Sequence, residues 1–173
     1  MTLGDPAPEF EGLLGTDGRR HSLASFRSSP QLVLLFVGNG CPSVKAYGEE
    51  LQRISQEYGA RGAQLVLVNS NNEFLSPPDT YPEMVKVAQA RGWTFPYIKD
   101  DDHSLAEACG AQTTPHAFVF DAGRRLRYRG RITDSRNPST ATVHDLANAI
   151  EDLQAGREVA VPETQSIGCS IVW

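Results

Sequence analysis

Three short, nearly continuous apolar runs punctuate the chain: Leu32 to Val37, Gln64 to Val68, and His116 to Phe120. Runs of that length read as strands buried on both faces. Between the first two, Val44, Tyr47, Leu51, Ile54 and Tyr58 recur at spacings of three and four. That spacing predicts one helix from about residue 42 to 58, ended by Gly59. A second helix is expected from Thr80, with Glu83 placed for a capping box, to Gly92. "FPYIKDDD" predicts a short strand and a turn, and a brief helix then runs through Leu105, Ala106 and Cys109 to Gly110. "DAGRR" turns the third apolar run into a further strand, "LRYRG". Val143, Leu146, Ile150 and Leu153 form the stripe of a last helix before Gly156. Near the N-terminus, Asp17-Gly18 is a turn signal between two short extended pieces and predicts a hairpin.

Helices interleaved with apolar strands, closed by a β-β pair, predict a layered α/β domain around a mixed sheet. At 173 residues the chain is most simply one domain. Its boundary is drawn at residues 1–160, with 161–173 as a separate tail. A net charge of −5 without any basic block argues against nucleic-acid or anionic-membrane partners. No apolar run is long enough to span a bilayer, and "MTLGDPAPEFEG" lacks the basic and apolar regions of a leader, so a cytoplasmic protein is expected. Three cysteines do not make a secreted disulfide framework; in a reducing compartment they are expected to be reactive or simply buried.

Cys41 lies where the first apolar run meets the first helix, and Pro42 follows it. Proline suits the first helical position, which makes Cys41 the N-cap. Unpaired backbone N–H groups and the positive end of the helix dipole favour thiolate there, and Lys45 is a candidate second cation. A depressed thiol pKa makes a nucleophile.

"LLFVGNGCP" before an amphipathic helix, together with "GAQTTPHAFVFD" further on, resembles the thioredoxin superfamily. The opening "GDPAPEFEGLLGTDGRRHSLASF" is similar to its redoxin branch, which holds alkyl hydroperoxide reductase/thiol-specific antioxidant proteins and thiol-disulfide reductases. The tail "ETQSIGCSIVW" resembles a bacterial thioredoxin-like subgroup ending in a Gly-Cys motif. The resemblance implies a thioredoxin-like three-layer α/β/α fold with a central mixed sheet and an N-terminal β-hairpin extension. It implies Cys41 as the attacking cysteine and Pro115 as a cis-proline facing it, preceded by Thr114. No cofactor is implied.

Four positions depart from the family's patterns. The second cysteine of the motif is Val44, so a mixed disulfide cannot be resolved from within it. The tryptophan usual before the attacking cysteine is Gly40, which is expected to leave the sulfur more accessible. The proline and threonine that peroxiredoxins place before their cysteine are Leu34 and Gly38. The second sulfur must then come from elsewhere. Cys169 is either a strand residue buried with Ile167, Ile171 and Trp173 on one side of the tail, or a resolving cysteine on a mobile terminus. Cys109 is expected to pack in the core. "DDDH" at 100–103 reads as a turn, and no Cys/His set has zinc spacing.

The resulting expectation is a thiol-disulfide oxidoreductase using Cys41, served by a disulfide or peroxide substrate and a thiol reductant. A thiol peroxidase with antioxidant activity and a catalytically inactive binding module are the alternatives.

Overall fold

The computed structural model describes residues 1–173. In chain order the strands are β1 (Leu13–Leu14), β2 (Arg20–His21), β3 (Gln31–Phe36), β4 (Ala63–Asn69), β5 (Tyr97–Lys99), β6 (Thr113–Thr114), β7 (His116–Phe120), β8 (Leu126–Gly130) and β9 (Cys169–Ser170). The helices are α1 (Pro42–Ala46), α2 (Gly48–Gly59), α3 (Tyr81–Arg91), α4 (Ser104–Cys109) and α5 (Asp145–Gln154). The central sheet runs β5-β4-β3-β7-β8. β3, β4 and β5 are parallel, and β7 and β8 are antiparallel to their neighbours, which is the expected mixed sheet.

Alternation along the strands divides the apolar residues between two faces. Val33, Leu35, Val37, Leu65, Leu67, Ala117 and Val119 pack on one side with Leu51 and Ile54 of α2, Met84 of α3 and Leu146 and Ile150 of α5. Leu32, Leu34, Phe36, Val66, Val68, Phe118 and Phe120 pack on the other with Leu105, Ala106 and Cys109 of α4. The three layers are therefore built as expected, and the β1-β2 hairpin lies against the β5 edge, where Thr16 N–H donates to the Tyr97 carbonyl.

Four local expectations change. The single helix over 42–58 is broken at Tyr47 (φ −95°, ψ 4°) into α1 and α2. Tyr47 is pulled out of line by its hydroxyl, which bonds to the Thr133 hydroxyl and, at 2.7 Å, to the Ser135 carbonyl. Gly48 follows because the Arg91 guanidinium occupies the space of a side chain there. Thr80 does cap α3, but the capping box does not form, since the Glu83 carboxylate pairs with Lys86 instead. Val143 stands before α5 rather than on its buried stripe; Asp145, paired with Arg131, opens the helix.

The fourth concerns the tail, which crosses the end of the sheet instead of presenting one apolar side. Cys169 packs against the core containing Cys41, and Ile171 is buried in the opposite core beside Cys109. Trp173 is half exposed, edge-on to His103. A segment that crosses from one sheet face to the other cannot keep its alternate residues in a single core.

Candidate active site

The connection from β3 to α1 is made by a loop, Val37 to Gly40, that is held from outside. Asp79, 1% exposed, accepts hydrogen bonds from Asn39 N–H (2.7 Å), Asn69 Nδ2 (2.8 Å), Asn71 Nδ2 (3.0 Å) and Ser76 Oγ (2.5 Å). Lys99, also buried, donates to the carbonyls of Asn71 (3.1 Å) and Asp79 (2.9 Å). The four bonds to the carboxylate and the two from Lys99 meet their polar atoms inside the protein, which is what burial of polar groups requires. The cluster fixes the backbone leading into Cys41. Nothing in sequence spacing marked it.

Cys41 is the N-cap of α1 with Pro42 as the first helical residue, as expected. Its sulfur makes no formal cap bond; the Val44 N–H donates to the Cys41 carbonyl and lies close enough to the sulfur to favour thiolate. Cys41 Sγ donates to the Thr114 carbonyl at 3.2 Å. The Thr114-Pro115 peptide is cis. The Thr114 hydroxyl is buried without a hydrogen-bond partner and lies close enough to the same sulfur to favour its thiolate.

The tail supplies the facing side. β6 and β9 pair antiparallel in a register that sets Thr114 opposite Cys169 and Thr113 opposite Ser170. An added Cβ at Gly168 would fall inside the Thr114 carbonyl and against Pro115, so only glycine permits this approach. Cys41 and Cys169 thus converge on one residue, Thr114. Both are free thiols.

The two thiols are electrostatically unequal. Burial pushes the Cys41 thiol up, but the Cys169 thiol, Thr114 and the N–H groups of Val44 and Cys169 together outweigh it and hold Cys41 below the ordinary thiol value. Burial, and then the neighbouring Cys41, push Cys169 up to about 11. The first proton therefore leaves Cys41, and Cys169 remains a thiol that donates to it. Cys109 is elsewhere, in the opposite core, and burial followed by Asp100 pushes it up to about 12. It is a packing residue, as expected.

Two expectations about the site do not hold. Gly40 does not expose the sulfur: Cys41 is only 6% exposed, because the tail and Thr114 close over it and Pro78 lies beside Gly40. Lys45 is not among the groups acting on Cys41. It points from the last turn of α1 into a separate cavity of about 180 Å³ with Arg91, Trp93 and Tyr97. A residue unforeseen from sequence stands by the other thiol: Arg136, from the loop after β8, reaches Ser43 Oγ at 3.5 Å and favours the thiolate of Cys169. Its loop carried no spacing signal.

The inequality of the thiols leads to a measurable outcome. Alkylation of the folded protein by iodoacetamide at graded pH is expected to label Cys41 first, with a midpoint below the free-thiol value of about 8.5. Thr114→Val, which keeps the shape and removes the hydroxyl, moves that midpoint upward. An unchanged midpoint in the variant would show that the hydroxyl has no hold on the sulfur.

His116, next to Pro115, is buried and packed at a tilt against Phe118, and its Nδ1 accepts from Gln112 N–H at 3.2 Å. Burial, and then Arg129, push it down to about 4 from 6.5. The unfolded chain takes up this proton as pH falls below 6.5, while the folded chain resists until about 4. Stability is therefore complete above that window and lost on descending through it, by about 3 kcal/mol at most. Urea unfolding at graded pH is expected to show this loss, and His116→Phe should flatten it.

The model of the AhpC/TSA family matches residues 3–129, well over half the chain. The thiol-disulfide oxidoreductase ResA of Geobacillus thermodenitrificans is 24% identical over 127 residues, covering 73% of this chain and 68% of that one. A Mycobacterium tuberculosis protein bearing the name peroxiredoxin is 26% identical over 111 residues, or 64% of this chain and 65% of its own. The chain thus spans about two thirds of these curated relatives. A crystal structure of a hypothetical protein from Sinorhizobium meliloti superposes with a TM-score of 0.93 at 36% identity, over 100% of this chain and 95% of that one. The chain belongs to the AhpC/TSA family, within the redoxin branch of the thioredoxin superfamily.

Proposed function

We propose that this protein is a two-cysteine thiol oxidoreductase in which Cys41 attacks and Cys169 resolves. The observation that carries the reading is the convergence of both thiols on Thr114, with Cys41 the more readily deprotonated of the two. Membership of a family whose relatives include a thiol-disulfide oxidoreductase supports it.

In thiol-disulfide exchange, the Cys41 thiolate attacks one sulfur of a substrate disulfide, the S–S bond breaks, and one substrate thiolate leaves. Cys169 gives its proton to that leaving thiolate and attacks Cys41, expelling the second half of the substrate. That half leaves as a thiolate and takes a proton from solvent, so two substrate thiols are released and the protein holds a Cys41–Cys169 disulfide. An external thiol reductant restores it. This answers the absence of a second cysteine at Val44: the resolving sulfur comes from the tail. A hydroperoxide reading has one observation in its favour, the low exposure of the Cys41 sulfur, which suits a very small oxidant. There Cys41 takes one oxygen to become a sulfenic acid, an alcohol or water leaves, and Cys169 displaces the second oxygen as water. Both routes end in the same disulfide. The reading assumes a reducing compartment such as the cytoplasm.

The test is stoichiometric oxidation with diamide or hydrogen peroxide, followed by peptide mapping. A Cys41–Cys169 bridge is expected in the wild type. In Cys169→Ser, Cys41 is expected to over-oxidise or to retain a small-thiol adduct. A wild type that yields only such an adduct would remove Cys169 from the reaction.

A further inference from the structure

The edge of β6 is where an extended polypeptide would lie against Cys41, and the protein's own tail already lies there. An exposed strand edge offers unpaired N–H and C=O groups that accept another extended chain by strand addition. Here Thr113 and Thr114 are paired with Ser170 and Cys169. The hydrogen bonding continues past the ladder, with Ile171 N–H donating to the Gln112 carbonyl at 3.1 Å.

The tail is held on both sides of Cys169. Upstream, Thr164 N–H donates to the Arg129 carbonyl (3.1 Å), Arg129 N–H donates to the Pro162 carbonyl (3.0 Å), and the Thr164 hydroxyl meets Tyr128 Oη at 2.8 Å. Downstream, Val172 N–H donates to Asn71 Oδ1 (2.9 Å), and Asn72 N–H donates to the Val172 carbonyl (2.7 Å). Ile171 is 4% exposed in the core. Asn71 is itself braced by the buried Asp79. A segment fastened at both ends can bring Cys169 onto Cys41 without leaving the β6 edge.

We infer that the tail acts as a built-in occupant of the polypeptide edge, so that the oxidant reaching Cys41 is a small molecule and not a protein disulfide. The inference rests on Cys41 being the reacting thiol, as proposed above, but not on Cys169 being the resolving one. The small-oxidant class comprises hydroperoxides and low-molecular-weight disulfides. Each needs an approach to one sulfur atom and no strand pairing with Thr114. A polypeptide disulfide must first displace β9 and withdraw Ile171 from the core.

The experiment compares two chains that both lack the Cys169 thiol, so that resolution always comes from added dithiothreitol. One is full-length Cys169→Ser, which keeps the β9 strand. The other ends at Gln165 and lacks it. Three substrates are supplied: hydrogen peroxide, bis(2-hydroxyethyl) disulfide and insulin. The full-length variant is expected to consume one or both small oxidants and to reduce insulin no faster than dithiothreitol alone. The truncated chain is expected to reduce insulin at least about tenfold faster, because a tail docked nine-tenths of the time or more leaves at most a tenth of the molecules open. Which small oxidant is turned over separates the two members of the class. Because truncation also removes Ile171, Asn71→Ala in the Cys169→Ser background provides a gentler release and is expected to give a partial gain with insulin. Insulin reduction by full-length Cys169→Ser at the truncated chain's rate would overturn the inference. So would folded, small-substrate-active released chains that gain nothing with insulin. Failure to find a Cys41–Cys169 bridge would count against the resolving role alone, since neither compared chain contains that thiol.

Discussion

Cys41→Ser is expected to abolish turnover with every oxidant, by about a thousandfold or more, while leaving the fold intact. Serine keeps the helix cap and the side-chain volume but replaces a thiolate-forming group by a hydroxyl that does not ionise near neutrality. Knocking out a nucleophile removes the covalent route altogether, so the loss is of that order rather than a modest change in affinity. The contrast with Cys169→Ser is part of the prediction. That variant keeps the first chemical step and should still turn over with dithiothreitol as resolving thiol, but should lose the internal disulfide. Single-turnover oxidation, read by mass spectrometry, separates the two. If Cys41→Ser retains a measurable rate above the uncatalysed reaction, the nucleophile has been misassigned.

The largest stability effect is expected at Asp79, which touches neither cysteine. Asp79→Ala leaves the Asn39 N–H, the Asn69 and Asn71 amides and the Ser76 hydroxyl short of their acceptor. Breaking a buried charged network by deleting one member costs about 3–5 kcal/mol. For a domain of this size that lowers the Tm by about 10 °C. The consequence reaches the site from two directions, through Asn39 on the approach to Cys41 and through Asn71 at the end of the tail. Asp79→Asn should fall between wild type and alanine, since it keeps one acceptor oxygen. Thermal unfolding followed by circular dichroism checks this. A shift of less than about 2 °C for the alanine variant would mean that water replaces the carboxylate without penalty.

Much of the fold was legible along the chain because its signals are local. Continuous apolar runs for strands buried on both faces, and the 3.6 period for helices, separate β3, β4 and β7 from α2 and α5 without tertiary information. Asp17-Gly18 marks its hairpin and Gly92 its helix end because each turn is made by the residues that signal it. Cys41 with Pro42 announces a capped cysteine for the same reason: cap and helix are adjacent in sequence. Where a distant group competes for the same residue, the local reading fails. The break at Tyr47 is made by Thr133 and Ser135, more than eighty residues away.

Local sequence alone shows which thiol sits at a helix start, which thiol is embedded in a helix, and that any second reacting sulfur had to come from outside the Cys41 motif. Those are statements about neighbours along the chain. Only the tertiary structure decided that the tail is docked rather than free, because the choice depends on bonds from Asn71, Asn72 and Gln112 and on a core place for Ile171, all more than fifty residues away in sequence. It also decided that the sulfur is covered despite Gly40, and that Arg136 rather than Lys45 stands by the thiol pair. Covering and charge placement are properties of what the fold brings together, and a short sequence window carries no record of which distant backbone will close over it.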